Sequence, residues 1–157
     1  MSIEDEVSVM RRIPLFAHIT PQKLKLLAFT SERMAFEPGQ MVFHQGEVGD
    51  AAYVIIEGQA DVLVDSPKGA VSVATVERNA LIGEVAILCD VPRTASIKAI
   101  TLLDTLRITK AQFLELLTEY PELSIEIMKI LAQRLAKTSI ELSDARSRLR
   151  ALGSPPP

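Results

Sequence analysis

At 157 residues the chain is long enough for one domain with an appendage, and 48% hydrophobic with 24% charged residues is typical of a globular protein. Aromatic residues make up only 4%, so we expect a core of aliphatic side chains. The net charge of −3 argues against a general nucleic-acid-binding surface. No apolar run approaches the ~18 residues that a membrane-spanning helix needs, so we expect no membrane partner.

The first residues and the cysteine content predict a cytoplasmic location. The acidic N-terminus lacks the basic and apolar regions of a secretory signal peptide. Cys89 is the single cysteine, so no disulfide can form within the chain, as is usual in a reducing compartment. Because His18 and His44 are the only histidines, we also expect no metal site.

Residues 1–30 predict a pair of helices. Ser2 is a candidate N-cap for a helix over residues 3–12, in which acidic residues come first and basic residues last. Thr20 and Pro21 have the cap and first-turn pattern of a second helix, which extends to about residue 29. The apolar side chains of this helical hairpin are Leu15, Phe16, Ile19, Leu24, Leu27 and Ala28.

Between residues 31 and 109 the apolar period changes to two, and turn residues recur at short intervals. The alternation predicts eight strands, over residues 32–36, 41–44, 51–57, 60–65, 71–76, 80–82, 94–99 and 101–108. Short strands divided by such turns are typical of an antiparallel β-roll or jelly roll, so the predicted fold class is mainly β with flanking helices. Residues 46–50 lack the Lys and the helix that follow a phosphate loop, and are predicted to be a hairpin turn.

The C-terminal part, residues 110–152, predicts two more helices. Thr109 and Gln112 have capping-box spacing for a helix that ends near residue 119. Pro121 begins the last helix, and no Gly or Pro follows it before Gly153. A helix over residues 121–152 would be about 48 Å long, more than the width of a small domain, so part of it needs a surface beyond its own roll. Residues 153–157 are predicted to be a disordered tail.

Apolar residues of the last helix alternate in steps of four and three, which is the spacing of a coiled-coil seam. The seam consists of Leu131, Leu135, Thr138, Leu142, Ala145, Leu149 and Leu152. It predicts a parallel homodimer. The alternative is an amphipathic helix that packs only on its own domain.

One stretch, residues 82–95, combines residue types that suit a phosphate and a sugar. Gly83 permits close approach of the backbone to a ligand. A short helix over residues 84–89 would direct unpaired N–H groups at an anion. Arg93 offers a planar fork of donors to the same anion, and Glu84 offers an acceptor that suits a sugar hydroxyl. Together they predict a nucleotide pocket.

Residues 82–95, from Ile-Gly-Glu-Val-Ala-Ile to Pro-Arg-Thr-Ala, resemble the phosphate-binding cassette of cyclic nucleotide-binding domains, as in protein kinase A regulatory subunits and bacterial catabolite activators. We call these residues the cassette. The resemblance implies a β-roll that binds cyclic AMP or cyclic GMP, with Glu84 on the ribose 2′-hydroxyl and Arg93 on the cyclic phosphate. The implied ligand-binding residues of the cassette are Gly83, Glu84, Val85, Ala86, Arg93, Thr94 and Ala95.

Two features bear on which nucleotide is bound. Thr138 and Ser139 lie in a segment similar to the part of the catabolite activator's long helix that presents a Thr-Ser pair to adenine from both subunits. Thr94 follows the arginine at a place where a hydroxyl can favour guanine in related domains. Many related domains with this hydroxyl bind cyclic AMP well, so we expect cyclic AMP, with cyclic GMP as the alternative. For Thr138 the other interpretation is a polar residue that sets the register of the seam.

Three classes of function compete for this chain. A sensor needs only the pocket and an effector protein, which the sequence does not identify. A transcription factor of the catabolite activator type would carry a DNA-binding domain after the long helix, so the chain would be the sensory fragment of such a regulator. An enzyme would need a metal-binding His/Glu cluster, a phosphate loop or a Ser-His-Asp spacing, and the sequence contains none of these. The sequence therefore predicts a non-enzymatic sensor.

Overall fold

Eight strands form two four-stranded antiparallel sheets in the computed structural model, which describes residues 3–153. The strands are β1 (Glu32–Phe36), β2 (Met41–Phe43), β3 (Ala51–Glu57), β4 (Ala60–Ser66), β5 (Gly69–Val76), β6 (Leu81–Ile82), β7 (Ser96–Ala99) and β8 (Leu103–Thr109). One sheet has the order β1-β8-β3-β6 and the other the order β2-β7-β4-β5. The predicted mainly β fold class is confirmed, as are all eight strands.

Three strands begin two residues away from their predicted starts, and local hydrogen bonds explain each difference. β5 starts early because Ser66 and Gly69 pair across a tight turn, where the Ser66 hydroxyl donates to the Gly69 carbonyl at 2.5 Å. β7 starts late, at Ser96, because the N–H of Arg93 donates instead to the carbonyl of Glu47. β8 starts late because the segment before it is held by the turn between β3 and β4.

Two apolar clusters fill the molecule, and β3 contributes to both. The first cluster lies between the β1-β8-β3-β6 sheet and the helices, and the second lies between the two sheets. Ala52 and Val54 belong to the first, whereas Tyr53 and Ile55 belong to the second. Because successive strand residues face opposite sides, a strand that is buried on both faces has a continuous apolar sequence.

The N-terminal helical hairpin covers one side of the first cluster. It consists of α1 (Ile3–Arg11), a short 3-10 helix (Pro14–Phe16) and α2 (Pro21–Thr30). The side chain of Thr20 accepts the N–H of Lys23 at 3.3 Å, so the predicted cap of the second helix is present. The predicted cap of the first, Ser2, lies outside the described residues.

The chain ends in α4 (Lys110–Glu119) and α5 (Pro121–Gly153), and α3 (Glu84–Leu88) lies within the cassette. Thr109 and Gln112 form the predicted capping box, with each side chain bonded to the backbone of the other residue. α5 packs on the first cluster through Leu123 and Ile127, but residues 135–153 are exposed throughout. Because α5 includes Gly153, the predicted start of the tail is one residue too early, and residues 154–157 lie outside the described part.

Within residues 3–153, none of the helices combines the length and the apolar character that crossing a membrane requires. α5 has 33 residues, but charged side chains recur along its second half. They include Lys137, Glu141, Asp144, Arg146, Arg148 and Arg150. In the same part of the chain, no three His, Cys, Asp or Glu side chains come together as a metal-binding group.

Candidate ligand-binding site

The candidate site begins where β6 ends, at a left-handed turn made by Gly83. This residue has a φ of 80° and is the N-cap of α3. A Cβ built on it would lie 2.5 Å from Nη1 of Arg93 and 3.2 Å from the ring of Phe43. Glycine is therefore needed here both for the backbone conformation and for the space beside the arginine.

Gly83→Ala is expected to lower the free energy of unfolding by about 1–2 kcal/mol through the left-handed backbone alone, and by more through contact with Arg93. Gly39→Ala is a matched control, because Gly39 also has a positive φ, 90°, but nothing lies within 4 Å of an added Cβ. Urea unfolding of both variants measures the difference. Equal losses would show that the contact with Arg93 has no energetic consequence.

A second left-handed residue ends α3 and turns the chain back towards the start of the cassette. Asp90 has a φ of 52°, and the N–H of Val91 donates to the carbonyl of Ala86 at 3.2 Å. This is the Schellman arrangement of a helix C-terminus. It lets Arg93, ten residues after Gly83, lie against the N-terminus of the same short helix.

The turn before β3 packs against the cassette and holds the backbone of Arg93. The N–H of Arg93 donates to the carbonyl of Glu47 at 2.8 Å, and the N–H of Gly46 donates to the carbonyl of Arg93 at 2.8 Å. A Cβ built on Gly49 would lie only 2.4 Å from the Cβ of Ala86, so turn and helix are in close contact. The prediction of a hairpin turn for this loop is wrong, because β2 and β3 lie in different sheets; the loop instead supports the arginine.

The Arg93 side chain is buried, with 4% of its residue surface exposed. Its Nη1 donates to the carbonyl of Gly83 at 2.8 Å and its Nη2 to the carbonyl of Ala51 at 2.7 Å. The guanidinium carbon lies 4.0 Å from the centre of the Phe43 ring, within range of a cation–π interaction. Nε is buried and has no hydrogen-bond partner among residues 3–153.

Electrostatics favour an anion beside this guanidinium. Burial lowers the pKa of Arg93 from its ordinary value, but an arginine keeps its proton in proteins. Among residues 3–153 the only carboxylate within 4.0 Å is that of Asp50, at 3.9 Å from Nη2. A buried cation that lacks a close counter-ion and has a free donor is costly. A phosphate would supply both the charge and the missing acceptor.

Glu84, at the start of α3, is 2% exposed and is paired with a residue of α5. Its carboxylate accepts a hydrogen bond from Nη1 of Arg134, and Nη2 of Arg134 donates to the carbonyl of Leu81. Burial raises the pKa of Glu84, whereas the charge of Arg134 lowers it. The carboxylate that the resemblance places on the ribose is therefore also the point at which α5 is attached to the cassette.

The family model for the cyclic nucleotide-binding domain matches residues 33–120, which is more than half of the chain. The chain belongs to the cyclic nucleotide-binding domain family.

A curated relative and two solved structures show how far the similarity extends. The chain is 28% identical over 137 residues to a CRP-like cAMP-activated global transcriptional regulator of Mycobacterium tuberculosis; the match covers 87% of this chain and 61% of that protein's length. The fold of this chain is similar to that of the Thermus thermophilus catabolite activator protein, with a TM-score of 0.72 and 25% identity. The match covers 85% of this chain and 63% of the activator chain. The fold of this chain is also similar to that of the regulatory subunit of a cAMP-independent protein kinase A from Trypanosoma brucei, with a TM-score of 0.71 and 26% identity. This match covers 83% of this chain and 47% of the subunit.

In this member of the cyclic nucleotide-binding family, the structure brings the predicted cassette residues together around α3 but separates two others from them. Val85 and Ala95 are half-buried, and Thr94 is exposed. Thr138 and Ser139 lie on the exposed part of α5, one turn beyond the residue that pairs with Glu84. Their contact with a ligand stays a prediction.

Three residues of the site had no role in the sequence analysis. Phe43 lies beneath the guanidinium, Asp50 is the nearest carboxylate to it, and Arg134 pairs with Glu84. For Arg134 the sequence did contain a signal of its position: it lies four residues before Thr138, and residues four apart share one side of a helix. No comparable signal marks Phe43 or Asp50, because each comes near the arginine only through the packing of segments that are distant in sequence.

Proposed function

We propose that this domain is a sensor that binds cyclic AMP in the β-roll and performs no catalysis. The observation that carries the proposal is the buried Arg93: within the described part of the chain, its Nε lacks an acceptor and its guanidinium lacks a close counter-ion. The cyclic phosphate would take this position. Glu84, the first residue of the same short helix, would accept the ribose 2′-hydroxyl.

The choice of cyclic AMP has support from one relative and one segment. The Mycobacterium tuberculosis relative is named as cAMP-activated. Thr138 and Ser139 lie one turn beyond Arg134, whose side chain reaches the cassette. The exposed hydroxyl of Thr94 keeps cyclic GMP as the alternative ligand.

Calorimetric titration of nucleotide-stripped protein with cyclic AMP, and separately with cyclic GMP, tests the proposed function. We expect both to bind with one nucleotide per chain, and cyclic AMP to bind more tightly. Tighter binding of cyclic GMP would keep the sensor but replace its ligand. Absence of binding with either nucleotide would contradict the proposal.

The signal would leave the pocket through α5. Arg134 joins this helix to the carboxylate of Glu84 and to the carbonyl of Leu81 in β6, so a ribose hydroxyl on Glu84 would change what Arg134 can bind. A ligand moves a helix only if it binds one arrangement better than the other, and 1–3 kcal/mol is a typical difference for coupled sites. We infer that the occupied pocket repositions α5.

The far part of α5 would form a homodimer. Residues 135–153 are exposed, and the seam residues Leu135, Leu142 and Leu149 in this segment are all more than half exposed. Such a stripe of leucines does not pack on its own roll, so a second copy of the helix would cover it. In the dimer, Thr138 would lie within the seam.

Leu142→Asp is expected to convert the dimer to a monomer while the roll stays folded, because it places a charge in the middle of the seam. Light scattering at micromolar protein concentration gives the mass, and Ser143→Asp is the control with the same charge one position off the seam. We expect the monomer to bind cyclic AMP more weakly, since contacts from the second chain are lost. A monomeric wild type would contradict the dimer.

A second candidate function is that of the sensory part of a transcription regulator. The chain spans 61% of the length of the Mycobacterium tuberculosis regulator, and the matched part includes the roll. Cyclic AMP would then act through α5 on a DNA-binding domain. Calorimetric titration does not distinguish a separate sensor from the sensory part of a regulator. Gel-shift assays with a longer chain that includes a DNA-binding domain would distinguish them.

A further inference from the structure

Asp50 lies at the end of the turn that supports Arg93, and its carboxylate lies between two arginines. Oδ1 is 3.9 Å from Nη2 of Arg93, too far for a hydrogen bond, and Oδ2 accepts a hydrogen bond from Nη2 of Arg107 at 3.1 Å. The side chain of Asp50 is 68% exposed, so it can move between these partners. Glu32 lies on the other side of Arg107, at 3.9 Å.

The backbone of Asp50 is held independently of its side chain. Its carbonyl accepts the N–H of Lys110 at 2.9 Å, and the next residue, Ala51, supplies the carbonyl that orients Nη2 of Arg93. A substitution that changes only the Asp50 carboxylate therefore leaves these backbone hydrogen bonds in place. The Asp50 side chain thus determines where a negative charge lies near Arg93, but it does not determine the fold of the turn.

We propose that Asp50 competes with the ligand's phosphate for Arg93, and that Arg107 limits this competition by holding the Asp50 carboxylate away. The inference rests on the proposed function, because it takes the phosphate of a cyclic nucleotide as the anion on Arg93. Asp50 and Arg107 touch no ligand atom in this account. They set the affinity of the pocket through the charge that faces the guanidinium.

The sign of the effect follows from the charges. A phosphate on Arg93 lies within a few ångströms of the Asp50 carboxylate, and two anions at that separation repel each other. The hydrogen bond from Arg107 offsets one of the two negative charges. Without Arg107, the exposed Asp50 side chain is free to close the 3.9 Å gap and pair with Arg93.

Asp50→Asn is expected to tighten cyclic AMP binding by about three- to tenfold at low salt, and the gain should shrink at high salt because the charges are partly exposed. Glu32→Gln is the matched control. Glu32 also pairs with Arg107 and is 64% exposed, so the variant makes the same change in net charge farther from Arg93. We expect it to change affinity by less than about twofold. Unchanged or weaker binding by Asp50→Asn would overturn the proposal.

Arg107→Gln is expected to weaken cyclic AMP binding by about threefold or more, opposite in sign to Asp50→Asn. The decisive comparison is the double variant. If Arg107 acts by restraining Asp50, Arg107→Gln has little effect once Asp50 is asparagine. If the two single effects simply add, Arg107 acts on the ligand by itself and the proposed restraint is wrong.

Inorganic phosphate separates failure of this inference from failure of the proposed function. Thermal unfolding is measured over a series of phosphate concentrations, and Asp50→Asn should reach half of its shift at a lower concentration than wild type. Arg93→Ala in both backgrounds should abolish that difference. If neither cyclic nucleotide binds, the proposed sensor function is wrong. The phosphate series still decides whether Asp50 competes with an anion for Arg93. Identical phosphate curves for wild type and Asp50→Asn overturn the competition.

Discussion

Arg93→Ala is expected to weaken cyclic AMP binding by about 2–5 kcal/mol, or about 30- to 4,000-fold, because the phosphate loses its buried charged partner. Calorimetric titration of wild type and variant under the same conditions measures the loss. Arg78→Ala is a matched control, since Arg78 carries the same charge but lies on the exposed rim, where it pairs with Glu57. Affinities of wild type and Arg93→Ala within about threefold of each other would contradict the assignment of the phosphate site.

The same substitution also removes hydrogen bonds that support the cassette. Without the guanidinium, the carbonyls of Gly83 and Ala51 lose their side-chain donors, at about 1–3 kcal/mol for each one left buried and unpaired. Binding must therefore be compared at a temperature where both proteins are folded. Arg93→Lys adds a second test, because it keeps the charge but lacks the planar fork. It should bind with an affinity between those of Arg93→Ala and wild type.

The elements of the fold were predictable because each has a local signal. The capping box of α4 needs only Thr109 and Gln112, and the pattern of turn residues predicts the strands to within two residues. The cassette was predictable for the same reason. The residues predicted to bind the ligand lie within fourteen positions of one another, so their short separation in sequence keeps Arg93 near α3.

The environment of the arginine could not be predicted, because it is built from distant segments and from backbone atoms. The acceptors of Arg93 are carbonyls of Gly83 and Ala51, and a backbone carbonyl leaves no trace in the residue type. The pair of Glu84 with Arg134 joins residues 50 positions apart, and Asp50 is 43 positions before Arg93. Such contacts depend on how β3, β6 and α5 pack, which local periodicity does not specify.

The pair of Glu84 and Arg134 also matters for the second large effect that we expect, the effect of Glu84→Gln on ligand binding. This variant keeps the shape of the side chain but removes the charged acceptor, and should weaken cyclic AMP binding by about 1.5–3 kcal/mol, or about 10- to 150-fold. The loss should be absent for 2′-deoxy cyclic AMP, which has no hydroxyl to donate. Calorimetry with both ligands on wild type and variant measures the four affinities.

Arg134→Gln decides between the two ways in which Glu84 could act. It breaks the ion pair between the cassette and α5 just as Glu84→Gln does, but it leaves the carboxylate in place for the ribose. If Glu84 binds the hydroxyl, Arg134→Gln should retain most of the affinity for cyclic AMP and still prefer it over the 2′-deoxy ligand. If Glu84 only holds the cassette against α5, both variants should lose affinity equally for both nucleotides. That outcome would leave Arg93 as the one side chain that binds the ligand from within the cassette.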